Sequence, residues 1–187
     1  MVIYTKKGDG GTTSLYDKSS VQRTRISKSS LIVGALGAVD ELDSYLGVCA
    51  SFCENPKTYE LIQRVQKNLL RIGAIIAGSG LKFARSETSK LEKIIDELEG
   101  KLPVLKNFVV PGGSKISAHL HYARALARTA ERRVVALSKD RPAGGKKLSP
   151  HILSYLNRLS DFLFMLARKT NRDAGMGDEV WVGKKKR

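Results

Sequence analysis

Apolar residues along most of the chain recur three and four apart, the period of helices that bury one face. This pattern predicts helices at about 31–53 and 57–77, a shorter one near 89–99, a long one that fades by Lys139, and a last one at about 150–171. The punctuation agrees. Asn55 is placed to cap the second helix with Pro56 just inside it, and Ser89 and Glu92 stand at capping-box spacing for the third. Ser114 can cap the fourth, and Ser149 followed by Pro150 marks the start of the fifth. The segment NFVVPGGS (107–114) reads as a loop, because Pro-Gly-Gly stops a helix, and Pro142, Gly144 and Gly145 mark a second connector. Residues from about 3 to 27 are polar and glycine-rich. Five helices with moderate connections and no internal repeat read as an all-α bundle. One domain over 1–187 is expected, with an amino-terminal segment to about 28, a helical bundle over 29–171 and a basic tail over 172–187.

Two helices carry polar stripes where apolar ones are expected. In HLHYARALARTAERRVV, residues Arg124, Arg128, Glu131 and Arg132 fall on one face within roughly 80° of Arg124, and Arg133 points the opposite way. Three guanidiniums around one carboxylate repel one another unless an anion sits among them. The plain alternative is a solvated charged face. In SPHILSYLNRLSDFLFMLARKTN, residues Leu156, Leu159, Leu163 and Leu166 form the core stripe. Asn157, Asp161, Phe164 and Arg168 recur at helical spacing on another side, one that is costly to bury without polar contacts. Together the stripes suggest a polar cleft between helices, able to grip an anion with Arg and to orient it with amide and carboxylate.

Composition changes the picture mainly through charge. A hydrophobic content of 42% and 27% charged residues are ordinary for a globular chain of 187 residues, but a formal charge of +15 is not. Four of those charges are the terminal Lys184, Lys185, Lys186 and Arg187, and 15 minus 4 leaves +11 on the rest, which favours polyanionic ligands. The longest apolar runs, such as LIVGALGAV (31–39), are too short to span a bilayer. The chain reaches Lys6, Lys7 and Asp9 without an apolar stretch of the signal-peptide kind. Cys49 and Cys53, four apart on a helix, are expected as buried reduced thiols in a cytoplasmic protein.

The segment YTKKGDGGTTSL sets Gly8, Gly10 and Gly11 beside Thr12, Thr13 and Ser14. Glycines let backbone N–H groups approach an anion and hydroxyls add donors, although a flexible loop has the same composition. The segment is not a Walker A motif. Lys28 either adds a charge to the same place or faces water. His119, His121 and His151 do not form a metal-binding cluster, so no metal ligands are assigned, and no Ser-His-Asp set or thiol nucleophile can be argued. If the chain is an enzyme, its nucleophile belongs to the substrate.

Four segments in order, IYTKKGDGGTTSL, VGALGAVDELDSYLG, FVVPGGS with the following RALARTAERRVV, and YLNRLSDFLFMLAR, resemble the PduO-type ATP:corrinoid adenosyltransferases over nearly the whole chain. The resemblance implies a ferritin-like five-helix bundle that assembles as a homotrimer with active sites between neighbouring chains. It implies an enzyme in which the Co(I) of reduced cobalamin attacks the 5′ carbon of ATP, giving adenosylcobalamin and triphosphate, with Mg2+ accompanying the nucleotide. By the same resemblance Thr5, Lys6, Gly8, Asp9, Thr12, Thr13 and Lys28 match nucleotide-binding positions. Arg128, Glu131 and Asn157 match residues around the nucleotide and are the candidate catalytic groups, with Arg132 beside them. Arg124 resembles the Arg that pairs with an Asp of the neighbouring chain, here Asp40. Phe108 resembles the aromatic residue that keeps the lower axial ligand off cobalt, and Asp161 and Phe164 are assigned with it to the corrinoid side.

The chain departs from the family pattern at Lys7 and Gly10, at Thr129 where a second Arg is common, and at Gly34 where a carboxylate is common. The implied partners are ATP and reduced corrinoid, then a corrinoid reductase and an adenosylcobalamin-dependent enzyme. Neither a membrane nor a nucleic acid is expected. Two rival readings are a basic helical nucleic-acid-binding protein and a carrier of finished adenosylcobalamin. Spread positive charge, six per cent aromatic residues and the lack of an RNP, KH or helix-turn-helix pattern count against the first.

Overall fold

Short polar side chains start three of the five helices. In the computed structural model, which describes residues 4, 6–15, 25–140 and 148–182, the Asn55 side chain accepts the Thr58 N–H at 3.1 Å. Ser114 accepts that of Ser117 and Ser149 that of His151, both at 3.3 Å. The helices are Leu31–Ser51 (α1), Pro56–Ile76 (α2), Ser86–Glu99 (α3), Lys115–Lys139 (α4) and Pro150–Asp173 (α5). Four short strands accompany them: Thr12–Ser14 (β1), Arg25–Ser27 (β2), Phe108–Val109 (β3) and Val180–Trp181 (β4). Both pairs, β1 with β2 and β3 with β4, are antiparallel. Thr5 and the basic run at 184–187 lie outside the described residues.

The helices pack as an all-α bundle: α1 lies against α2 and α4, and α5 lies between α4 and α3. Leu156, Leu159, Leu163 and Leu166 on α5 are fully buried, as their spacing predicts, against Leu42 and Leu46 on α1 and Leu120 and Val134 on α4. Each such side chain contributes roughly 1.5–3 kcal/mol. Alanines 123, 127 and 130 on α4 are also fully buried, which lets the neighbouring backbones come close. Among the described residues no helix is long and apolar enough to cross a membrane.

Three expectations need correction. The third helix begins at Ser86, so Ser89 lies inside it and caps nothing. A tertiary bond supports the earlier start, because Glu87 in the first turn accepts from Asn68 of α2 at 3.2 Å, and Lys90 of the same helix adds a local bond at 2.5 Å. The segment 107–114 is not loop throughout, since Phe108 and Val109 pair with Trp181 and Val180. The region after 171 is therefore not merely a tail: α5 continues to Asp173 and the chain folds back to form β4.

Asn68 also donates to the Tyr155 hydroxyl at 3.2 Å, tying α2 to both α3 and α5 through one amide. Burial pushes the Tyr155 hydroxyl far above its usual range. Burial alone would also raise the Glu87 carboxyl, but the bonds from Lys90 and Asn68 and the charge of Arg64 outweigh it and hold the carboxyl low. A Tyr155→Phe variant keeps the ring and removes one acceptor from a buried amide. Urea unfolding should show a loss of about 1–2 kcal/mol with an unchanged slope.

Candidate active site

The α4 stripe opens on a cleft between α3, α4 and α5, where Arg124 and Arg128 share the lining with Asp161 and Phe164. Alongside, Asn157 donates its side-chain amide to Glu131 Oε1 at 2.9 Å, joining α5 to α4 across the bundle. Arg132 donates to the Thr129 hydroxyl at 3.1 Å, so Thr129 helps to orient the neighbouring Arg. Arg158 bonds Asp161 at 2.7 Å and lies 3.4 Å from Glu92 of α3. The sequence reading did not single out Arg158; its spacing three before Asp161 was the available signal.

Among the described residues, no carboxylate lies within 4.0 Å of the guanidiniums of Arg124, Arg128 or Arg132. The Nε of Arg124 is buried there without a hydrogen-bond acceptor. Two like charges ~8 Å apart near a protein surface repel by ~2 kcal/mol. Core packing on the opposite face of α4 nevertheless holds all three on one stripe. The arrangement is complementary to a multiply charged anion, which Arg forks can grip two oxygens at a time.

The glycine-rich segment makes a second polar surface. Lys6 and Gly11 have left-handed backbones, with φ of 57° and 74°. The Asp9 N–H bonds the Lys6 carbonyl at 3.3 Å and the Gly11 N–H bonds that of Gly8 at 3.2 Å, closing a tight double turn. The Lys28 ammonium lies over Gly8, where an added Cβ would meet Nζ at 3.3 Å. The lysine thus joins the loop instead of facing away. Arg25, which the sequence reading missed, fastens the turn: it donates to the Thr12 hydroxyl at 2.8 Å, to the Thr12 carbonyl at 2.9 Å and to the Lys7 carbonyl. Thr12 and Thr13 lie on β1 opposite Ser27 and Ile26. Gly10 and Gly34 have open space around them, so packing does not require glycine at either departure.

Within one chain these surfaces remain apart, for neither β1 nor β2 packs appreciably on α4 or α5. Asp40 is exposed on α1 in a groove with Leu69 and Leu70 of α2, and it is not paired with Arg124. Phe108 stands 81% exposed on β3. Arg168, expected on the polar side with Asn157, is instead buried; Asp178 at 2.7 Å and the Pro103 carbonyl at 2.6 Å satisfy it.

The two cysteines and two of the histidines serve packing and internal bonds. Burial pushes the Cys49 thiol up to about 12 and also raises that of Cys53, which is half-buried rather than buried, so neither is a thiolate nucleophile at neutral pH. His119 shares a 2.7 Å hydrogen bond with the Tyr45 hydroxyl. His121 is buried against the Phe164 ring, and neither ring nitrogen has a hydrogen-bond partner among the described residues. Among those residues no three His, Cys, Asp or Glu side chains gather to hold a metal ion.

A family model described as cobalamin adenosyltransferase matches residues 3–170. The corrinoid adenosyltransferase of Bacillus subtilis is 37% identical, over 95% of this chain and 91% of that protein. The corrinoid adenosyltransferase PduO of Citrobacter freundii is also 37% identical, over 93% of this chain, which spans about half (51%) of its length. A variant PduO-type ATP:corrinoid adenosyltransferase from Lactobacillus reuteri, complexed with cobalamin and ATP, superposes with a TM-score of 0.88 at 29% identity. That match covers 97% of this chain and all (100%) of the other.

Burial, reinforced by the charge of Arg124 and opposed by that of Asp178, holds the His121 imidazole below its ordinary value of 6.5. On acidification through about pH 6.5 the unfolded chain therefore takes up this proton first, and the native state loses stability. Thermal melts from about pH 7.5 down to about pH 5 should fall less steeply for His121→Gln than for the wild type. Equal slopes would show that His121 is not the group responsible.

Proposed function

The chain belongs to the cobalamin adenosyltransferase family, and we propose that it transfers the 5′-deoxyadenosyl group of ATP to the cobalt of reduced cobalamin. The products are adenosylcobalamin and triphosphate. The observation that carries this reading is the stripe of Arg124, Arg128 and Arg132, without a neutralising carboxylate among the described residues, on the helix whose Glu131 is bonded by Asn157 of α5. In the reaction the Co(I) electron pair forms the Co–C5′ bond, the C5′–O bond breaks, and its pair leaves on triphosphate. Cobalt ends as alkylated Co(III). Since the attacking pair comes from the corrinoid, the protein needs to position the reactants and stabilise the departing charge. Arg128 grips the triphosphate with its planar fork, Arg132 is steadied beside it by Thr129, and the Asn157–Glu131 bond fixes the polar edge of the nucleotide site.

The glycine-rich loop completes the site from a neighbouring chain. Thr5, Lys6, Gly8, Asp9, Thr12, Thr13 and Lys28 face the nucleotide, and Asp40 pairs with Arg124 across a homotrimer interface. The separation of the two polar surfaces within one chain supports this assembly. Mg2+ would accompany the nucleotide, and a dedicated protein cage would then be unnecessary. Asp161 and Phe164 line the corrinoid side, and Phe108 keeps the lower axial ligand from cobalt so that Co(II) is more readily reduced. A reductase supplies the Co(I) state and an adenosylcobalamin-dependent enzyme takes up the product.

Incubation with ATP and chemically reduced cobalamin should yield adenosylcobalamin and triphosphate in equal amounts. Binding of finished adenosylcobalamin without turnover would favour a carrier, and a strongly salt-dependent shift of DNA or RNA would favour a nucleic-acid-binding protein. For Arg128→Ala the expected fall in kcat/KM is at least ~100-fold, or ~2.7 kcal/mol of transition-state stabilisation, and Arg128→Lys should not restore it. Near-normal kinetics in the alanine variant would sink the assignment.

Phe108→Ala should separate corrinoid chemistry from nucleotide binding. Activity starting from Co(II) should drop far more than activity starting from pre-formed Co(I), with ATP affinity changed by less than ~1 kcal/mol. Equal losses from both starting states would assign Phe108 another role.

A further inference from the structure

Phe108 sits on a ribbon that cannot hold its own position. Strands β3 and β4 have two residues each, with Phe108 81% and Trp181 60% exposed, and so small a pairing has no independent stability. One additional backbone bond, from the Val110 N–H to the Glu179 carbonyl at 2.8 Å, extends it. What fixes the ribbon lies beneath, on the last turns of α5.

Two buried polar residues there hold the loop at both ends. Arg168, with its side chain 3% exposed, sends Nη2 to the Pro103 carbonyl at 2.6 Å and Nε to Asp178 Oδ2 at 2.7 Å. It thereby grips the loop before Phe108 and the strap that leads into β4. Asn171, 2% exposed, donates to the Gly112 carbonyl at 3.2 Å and accepts from the Ser114 N–H at 2.9 Å and the Ser114 hydroxyl at 3.2 Å. That grips the same loop after Phe108. The Asn171 carbonyl also accepts the Met176 N–H at 2.8 Å, turning the chain toward the strap. The fit over Asn171 is close: Gly113 has φ of 95°, and an added Cβ would sit 2.2 Å from the Asn171 oxygen.

We propose that Arg168 and Asn171 are positioning residues that set the place of Phe108 for the corrinoid by clamping both ends of its loop and the returning strap. Neither is assigned to touch a substrate. The inference rests on the reading of Phe108 as a corrinoid-facing residue. Its physical basis is the cost of a buried guanidinium, which must keep its acceptors, and the fork geometry that lets one Arg serve two segments at once. A lysine, a point charge, cannot meet both acceptors in those directions.

Amide hydrogen exchange on the whole chain without substrates reads the clamp directly, and Trp181, the one tryptophan in the chain, gives a second signal through fluorescence anisotropy. In Arg168→Lys and in Asp178→Ala the Val110 amide should exchange about tenfold faster or more and Trp181 anisotropy should fall, while core amides of α1 keep their protection. With ATP and pre-formed Co(I) corrinoid, the corrinoid KM should rise about tenfold while the ATP KM stays within about twofold. Asp178→Ala alters the strap and leaves α5 intact, so it decides the matter if Arg168→Lys does not fold. Wild-type exchange at Val110 in the folded variants would overturn the clamp. Faster exchange with an unchanged corrinoid KM would overturn the positioning role. An inactive wild type with the exchange pattern as expected would instead count against the corrinoid reading of Phe108.

Discussion

Three guanidiniums on one helical face, without a carboxylate among the described residues close enough to neutralise them, set the terms for the rest of this molecule. Ala123, Ala127, Ala130 and Val134 seat the other side of α4 in the core, so all three stems leave the helix on the same side. Turning the helix to carry those stems elsewhere would pull that packed surface into water, at roughly 25 cal/mol for each Å² of apolar area exposed. The repulsion is therefore held in place by hydrophobic burial and can be relieved by an anion. With the stems gathered on one face before charge arrives, less reorganisation is needed when an anion binds among them.

The absence of an activated nucleophile on the described residues fits the same division of labour. Both thiols are held protonated by burial, and His121 and His119 are engaged in packing and in a bond to Tyr45. A substrate as nucleophilic as Co(I) makes such a group unnecessary. What it demands is exclusion of competing ligands and accurate placement, and those depend on loops. Here the loop bearing Phe108 and the hairpin bearing Lys28 are each fastened by an arginine that donates to backbone carbonyls, Arg168 in one and Arg25 in the other.

Local signals were enough to read α2, α4 and α5, because their caps and apolar stripes lie within a few residues of the helices they define. Asn55, Ser114 and Ser149 each cap as their positions suggest. The Arg stripe was legible for the same reason, since helical periodicity alone places 124, 128, 131 and 132 together. The start of α3 was not, because it depends on Asn68 reaching Glu87 from another helix. The ribbon of β3 with β4 joins residues more than seventy positions apart, and two-residue strands carry no readable alternation. Arg168 was placed with the polar stripe of Asn157 and not in the interior because its acceptors, Asp178 and the Pro103 carbonyl, are distant in sequence or belong to the backbone. The proposed joining of hairpin to cleft was suggested by the family resemblance, and within one chain its support is the separation of the two surfaces.

A crystal structure of the assembled protein with ATP bound tests the central claim most directly. The account predicts triphosphate oxygens against the Arg128 guanidinium, with Glu131 and Asn157 beside the nucleotide and the glycine-rich loop and Lys28 of a neighbouring chain closing over it. It also predicts Asp40 of one chain paired with Arg124 of the next. ATP bound away from the α4 stripe, or held entirely within a single chain, would contradict it.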